Sequence, residues 1–307
     1  MRGERGGALL AVLWLTTALS AIVFTLAWTV RSELERAGTA MDGARAHFLA
    51  EGAIERFLLH LSWLQGSGPG GDARVAFRPG QRRLRWDFPS GVVDLDITGE
   101  SGKLDIYGTP PPVLARLFLA LGIDEGRALQ MAGGIAAMRQ TAASTNLSLG
   151  SSFSTAWPSF LQMEDLLKVP GMTPDVYYGW WERDREGRLV ERGGVSRYLT
   201  LLGGTMVNVN YASPAVLRAV GVPEGRILEL LQMRDAGVIE DLFSQQTGAE
   251  AAGSIQLVAG GSNAYTIRAT AQLKDRPVRR TVTALIRFGR NKTEPRLNVV
   301  RWYPMAN

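Results

Sequence analysis

Gly7 to Val30 reads GALLAVLWLTTALSAIVFTLAWTV, 24 consecutive positions without a charged side chain. As a helix rising 1.5 Å per residue, this stretch is about 36 Å long and can cross a hydrocarbon layer of roughly 30 Å. Arg2, Glu4 and Arg5 precede it. A basic-biased leader stays on the cytoplasmic side, so the rest of the chain is expected across the membrane. The rival reading is a secretory signal peptide, whose apolar stretch is shorter, roughly 7–15 residues, and closes on an A-x-A-like site. Here the run continues without a breaker into RSELERAGTAMDGARAHFLAEGAIERFLLHL, residues 31–61. Leu34, Ala37, Met41, Ala44, Phe48, Leu58 and Leu61 recur there at three-to-four spacing among arginines and glutamates, the pattern of an amphipathic helix. One helix of over about 50 residues is therefore predicted to leave the membrane and present an apolar stripe that needs cover. The loop 66–71, GSGPGG, ends it.

Composition limits what the remainder can do. The chain has 307 residues, 46% hydrophobic and 21% charged, so it can bury a sizeable core. It has no cysteine, which removes disulfides, thiolate zinc sites and cysteine nucleophiles together. His47 and His60 are its two histidines, both on the long helix, with no nucleophilic serine or acidic constellation beside them, so both are read as packing residues. No P-loop, G-x-S-x-G or zinc motif is present. The chain is read as a non-enzyme.

Working outward, Leu84, Trp86 and Phe88 alternate with charged residues, Pro89-Ser90-Gly91 turns the chain, and Val93, Leu95 and Ile97 alternate with Asp94 and Asp96. Tyr265, Ile267, Ala269, Ala271 and Leu273 alternate likewise, then Val282, Ala284, Ile286 and Phe288 follow after Asp275-Arg276-Pro277. These are two antiparallel hairpins. Between them lies a segment that looks helical and contains a degenerate repeat. Leu104-Asp105-Ile106-Tyr107 aligns with Val207-Asn208-Val209-Asn210, and proline-bearing helix starts follow both. Each copy then reaches a near-identical octet, Gly122-Ile-Asp-Glu-Gly-Arg-Ala-Leu129 and Gly221-Val-Pro-Glu-Gly-Arg-Ile-Leu228. The offset falls from 103 to 99 between the two landmarks, so the first helix of the first copy is longer by about one turn. Two strand-turn-helix-helix units are expected to pack together. The fold class is α+β: a long N-terminal helix on an antiparallel sheet, interrupted by a large all-helical insertion.

The leader Arg5-Gly6-Gly7-Ala8-Leu9-Leu10 resembles the prepilin cleavage site of type IV pilins and type II secretion pseudopilins. That resemblance implies cutting after Gly6, or alternatively Gly7, by a prepilin peptidase, and methylation of the new N-terminus. Pilins of this kind usually carry glutamate at the fifth mature position; counted from Gly7, this chain has Ala11. Ala11, the stretch Met163-Glu-Asp-Leu-Leu-Lys-Val-Pro-Gly-Met-Thr-Pro-Asp-Val-Tyr177 and the later Val207-Asn208-Val209-Asn210-Tyr211-Ala212-Ser213 resemble the K-type minor pseudopilin family (general secretion pathway protein K). The first repeat departs from that pattern with Asp105 and Tyr107 where asparagines are common.

The resemblance implies a type IV pilin-like fold and two SAM-like, helix-hairpin-helix-like repeats at about 104–140 and 206–245. The domain plan is a leader 1–6, a membrane helix 7–30, a periplasmic helix 31–64, a first sheet part 72–103, the insertion 104–254 and C-terminal strands 255–307. It implies a single-pass inner-membrane subunit at the tip of a secretion pseudopilus, initiating its assembly. Its expected partners are other minor pseudopilins, the prepilin peptidase and the inner-membrane assembly platform, with exoproteins or the outer-membrane secretin beyond them. A minor type IV pilus subunit shares the anchor and stays an alternative.

A second alternative is a membrane-anchored DNA receptor, because V-N-V-N-x-A-S before a short helix also resembles helix-hairpin-helix modules. Its phosphate-binding hairpin would be Val220-Gly221-Val222-Pro223-Glu224-Gly225, where Pro223 removes an amide donor and Glu224 adds a repelling charge. Asn208 and Asn210 are read instead as side chains that satisfy turn backbone, and nucleic acid is not an expected partner. Calcium is implied by the resemblance, and Asp94, Asp96, Glu100 and Asp105 are its candidate ligands, although no D-x-D-x-D-G loop is present. Glu182, Asp184 and Glu186 with Gly187 form another candidate group. From Tyr265 to Asn307 there are ten Lys or Arg against Asp275 and Glu294; Arg268 and Lys274 fall on polar positions of the hairpin, so a solvated sheet face or contact with an acidic partner is expected. Trp180-Trp181 is read as core or subunit interface.

Overall fold

The computed structural model describes residues 4–65, 77, 80–148, 160–183, 186–240, 255–288 and 297–303; the loop 66–71 and Asp184 lie outside them. Helix α1 runs over Glu4–Gln65, 62 residues. Its apolar first part is exposed all round, and the helix is long and apolar enough to cross a membrane, with a mean hydropathy of 2.2 in its most apolar window. Strands β1, Arg83–Phe88, and β2, Gly91–Gly99, form the first hairpin.

The segment that follows is richer than the all-helical reading. It holds strand β3 (Leu104–Asp105) and helices α2 (Pro111–Ala120), α3 (Glu125–Ser148) and α4 (Pro174–Tyr178). A projecting hairpin of β4 (Gly179–Arg183) and β5 (Leu189–Gly193) comes next. Strands β6 (Leu199–Thr200) and β7 (Met206–Asn208), helices α5 (Pro214–Ala219) and α6 (Glu224–Ala236) and strand β8 (Gln256–Val258) complete it. Strands β3 and β7 fall at the starts of the two strand-turn-helix-helix units, whereas β4, β5, β6 and β8 escaped the sequence reading because they are two to five residues long, too short for period-two alternation to show. Two of the pairs, β3 with β6 and β7 with β8, are parallel and close the start of each repeat unit. Helix α2 has 10 residues and α5 six, the one-turn difference that the change in offset implied. Helices α2 and α5 pack together around one shared core.

Strands β9 (Ala264–Leu273), β10 (Arg279–Phe288) and β11 (Leu297–Tyr303) complete a five-stranded antiparallel sheet in the order β1-β2-β9-β10-β11. Adding β9 beside β2 places Leu95 opposite Ala269, and Ala269 opposite Val282. Period-two alternation turns these side chains to one face. Ala50, Ala53, Ile54 and Phe57 of α1 cover that face, and Ala46 ahead of them is buried as well. The alanines let the helix approach closely, and Phe57 fills the gap between Phe77, 5.0 Å away edge-on, and Trp86. This is the layer of a long helix on an antiparallel sheet that the sequence predicts.

The stripe read from the sequence divides in the structure. Leu61 is buried against the sheet, whereas Leu34, Met41, Phe48 and Leu59 are 68%, 58%, 67% and 56% exposed. At 100° per residue these four fall within about 40° of one another, roughly opposite the alanine face. The helix therefore has a covered face that is small at first, Ala46 to Ala53, and large toward Ile54, Phe57 and Leu61, and a bare face of large residues.

Two contacts orient the body along α1. Asp42, where cover begins, pairs with Arg276 in the β9–β10 turn at 3.5 Å. Phe57, near the other end, meets Phe77, which packs on Tyr265 at the start of β9. The insertion leaves the sheet after Gly99 and returns at Ala264, and Gly99 lies opposite Tyr265. It thus sits at the end of the sheet farthest from the apolar half of α1. Tyr211 of the insertion enters the sheet core there. It lies so close to Gly99 and Gly102 that an added Cβ at either would fall 2.5 Å from it, and its hydroxyl accepts the Gly80 N–H at 2.7 Å. Burial raises the pKa of this phenol well above its ordinary value.

His60 belongs to the same core. Its Nε2 accepts the Phe77 N–H at 2.9 Å, so the ring is neutral. Burial lowers its pKa, and Arg56 adds to the effect. An unfolded chain takes up this proton near pH 6.5 and the folded chain only at lower pH. This site's contribution is full above about pH 6.5 and declines as the pH falls from there through the folded value. His60→Gln is expected to flatten the fall of unfolding temperature between about pH 7 and 5; an unchanged slope would refute this.

Candidate functional site

Three places could carry function: the N-terminal segment, the repeat turns and the surfaces left bare. Gly6, Gly7 and Ala11 all lie within α1. Gly7 and Ala11 are exposed, and no neighbour would meet a side chain at Gly7. Ala11 offers no charge to an adjoining subunit.

The two repeat turns use one plan with different chemistry. In the second, Asn208 is fully buried. Its Oδ1 accepts the Asn210 N–H at 2.9 Å, and its Nδ2 donates to the carbonyls of Gly260 and Gly261 at 3.0 and 2.9 Å. In the first, Asp105 takes the same place, but both its oxygens meet donors: Tyr107 N–H and Gly108 N–H on Oδ1, each at 2.8 Å, and Gly203 N–H on Oδ2 at 3.0 Å. Asparagine stands where the outer partner is a pair of carbonyls, and aspartate where it is an amide.

The next turn position repeats the logic. Asn210 holds Ile239 by both backbone groups, donating to its carbonyl at 2.8 Å and accepting its N–H at 2.9 Å. Tyr107 holds Phe160 in the same manner through its single hydroxyl, which donates to the carbonyl and accepts the N–H at 3.2 Å. Arginines from the second helix of each unit close both turns. Arg139 donates to Thr109 O at 2.8 Å, and Arg234 to Ala212 O at 2.6 Å and Val209 O at 3.2 Å. The departures Asp105 and Tyr107 are thus chemical equivalents in the first copy.

Each unit then turns into its second helix through a glycine in the left-handed region, Gly122 at φ 85° and Gly221 at φ 93°. At the first of these helix starts, where a phosphate would sit, the amides face an acid, and at the second the acid is spent on an arginine. Asp124 accepts the Arg127 N–H at 2.9 Å, and Glu224 pairs with Arg218, which lowers the pKa of its carboxyl. The first arrangement repels anions, and the second offers them a neutral ion pair.

The four carboxylates named for calcium do not converge. Asp94 and Asp96 pair across the hairpin with Arg85 and Arg83 at 3.8 and 3.3 Å. Glu100 is buried on Lys103 Nζ and Thr266 Oγ1, both at 2.6 Å. Asp105 spends both oxygens on the turn. This set does not fit an oxygen-ligated cation. Glu182 pairs with Arg192 and Glu186 with Arg188, and among the described residues no three His, Asp or Glu form a metal-binding group.

Besides the stripe, the sequence points to Trp180-Trp181 and to the basic C-terminal stretch as surfaces. Trp180 packs half-buried on the insertion core, while Trp181 stands 65% exposed on the β4–β5 hairpin beside exposed Leu189. A cleft of about 870 Å³ separates the insertion from the outer sheet face, between Tyr107, Leu161, Tyr177, Val300 and Tyr303. Arg301 pairs with Glu164 across it at 3.3 Å. Of the basic C-terminal stretch, Arg290, Lys292 and Arg296 lie outside the described residues; Arg268 and Lys274 are exposed.

No protein-family model matches the chain, and no curated protein matches it. Solved structures similar to it include a chain of the crystal structure of the GspK-GspI-GspJ complex from the enterotoxigenic Escherichia coli type 2 secretion system, at 17% identity and a TM-score of 0.49, over 89% of this chain and 98% of that one.

Proposed function

We propose that this chain is a K-type minor pseudopilin, anchored in the inner membrane by residues 7–30, that caps a secretion pseudopilus and starts its assembly. The observation that carries this reading is the placement of the insertion, which crowns the end of the sheet farthest from the membrane helix. A subunit adding there would meet the insertion instead of a pilin sheet. Ala11 supports the same position, because without a carboxylate it cannot neutralise the N-terminus of a subunit above. Below and beside the body, the bare stripe Leu34, Met41, Phe48 and Leu59 fits the helices of other minor pseudopilins, since continuous apolar faces of this size are rarely left to water. Asp124 on the first hairpin amides, and Pro223, which removes an amide donor from the second, disfavour the DNA-receptor alternative. The function is structural, with no reacting group.

Intact mass tests the class. Chain expressed with a prepilin peptidase is expected to lose Met1 to Gly6 and gain one methyl group. An unprocessed chain, or a cut beyond Ala27, would overturn the reading.

A further inference from the structure

The β9–β10 turn carries Lys274, Arg276, Arg279 and Arg280 against Asp275, all exposed. Arg276 is shared with Asp42, which also pairs with Arg45 at 3.5 Å. Lys274, Arg279 and Arg280 have no carboxylate partner among the described residues; Arg279 donates only to Gln272 Oε1, at 3.1 Å. The next carboxylate on this end of the sheet, Asp87, points to the outer face of β1. On α1 itself Arg31 and Arg36 are neutralised by Glu35 and Glu33. The turn is therefore a net cationic tip.

Its location gives that charge a partner. Arg276 reaches Asp42, and the Arg280 guanidinium lies 3.2 Å from where a Cβ on Gly43 would stand. The turn thus touches α1 at the first residues that gain cover, on the side of the body facing the apolar span. Twelve residues separate Asp42 from Val30, about 18 Å of helix. A headgroup layer about 5–7 Å deep leaves a gap of about 11–13 Å, longer than the screening length of about 8 Å, which side-chain reach and helix tilt have to close. The apolar run exceeds the roughly 20 residues a span needs, which favours tilt and lowers one side of the body.

We propose that the β9–β10 turn docks on anionic phospholipid headgroups at the outer face of the membrane from which α1 emerges. This rests on the reading of residues 7–30 as a span. The contact is electrostatic, since the turn carries no large apolar side chain to insert, and it holds the unassembled subunit tilted onto the bilayer until it is drawn into the pseudopilus.

The chain has no cysteine, so Ser90→Cys, beside Lys274 on the neighbouring turn, gives a single dye site on the full chain. Energy transfer to a headgroup-labelled lipid is read in nanodiscs of phosphatidylcholine alone or with phosphatidylglycerol. Transfer is expected to be clearly higher in the anionic discs. The difference should vanish in about 1 M salt, where screening falls to about 3 Å, and in Lys274→Ser/Arg279→Ser, which leaves the Asp42 and Gly43 contacts intact. Equal transfer in the two compositions overturns the proposal and leaves an acidic protein face as the occupant. A chain that does not co-elute with discs overturns the anchor reading as well.

Discussion

Asn208→Asp is expected to lower the midpoint of thermal unfolding of the detergent-purified chain by roughly 5–15 °C, from a loss of ~2–4 kcal/mol. The change keeps the volume and the bond from Asn210 N–H, but points a second oxygen at the carbonyls of Gly260 and Gly261. Two buried acceptors lose their donor and a charge is added without a counter-ion. The reciprocal change, Asp105→Asn, removes one acceptor from Gly203 N–H and should cost less, ~1–2 kcal/mol. The defect also has a pH signature. Facing carbonyls, the new carboxyl is held above its unfolded pKa near 3.9, so the penalty is complete above the folded value and shrinks as the pH falls toward about 4. The difference in unfolding temperature between variant and parent, followed from neutral to acidic pH, checks both points. Equal midpoints would mean that the amide is not selected by the two carbonyls.

Phe57→Ala should cost ~3–5 kcal/mol, because the fully buried ring would leave a cavity among Phe77, Trp86 and the sheet. The helix would then lose its principal hold on the body, and the unfolding midpoint should fall on the order of 10 °C. Phe48→Ala, nine residues earlier on the bare face, should stay within about 0.5 kcal/mol of the parent in the isolated chain. On the proposed function, its loss should appear only on mixing with minor pseudopilins, as reduced co-purification. A large stability loss for Phe48→Ala, or undiminished co-purification, would remove the bare face from the assembly argument.

The long helix and both hairpins could be read before any coordinates, because each is long enough for its period to repeat. The alternation of Val93, Leu95 and Ile97 with Asp94 and Asp96 survives intact in the buried and exposed faces of β2. The first part of the face of α1 that docks could not be read from large residues, since Ala46, Ala50 and Ala53 line it while Leu34, Met41 and Phe48 point away. The turn clamps were half visible: Asn208 and Asn210 carry a turn signature, whereas Asp105 and Tyr107 do the same work in different functional groups. Their partners, Gly203, Phe160, Ile239 and Gly260, lie from about thirty to about one hundred residues away, and nothing local in the sequence points to them. The calcium candidates were chosen by nearness in sequence, yet strand geometry sends Asp94 and Asp96 to arginines across the hairpin and Glu100 inward to Lys103.

Gly99 and Tyr265 face each other on adjacent antiparallel strands, so everything between them is, in the topology of the sheet, the loop of one β-hairpin. Joining the two strand ends by a tight turn would leave the strand order and the docked helix unchanged, with the socket now filled by Tyr211 left open. A lineage could therefore have gained the crown in a single insertion event, without passing through a disrupted sheet. An engineer could exchange it for another domain whose termini lie about one strand spacing apart, roughly 5 Å.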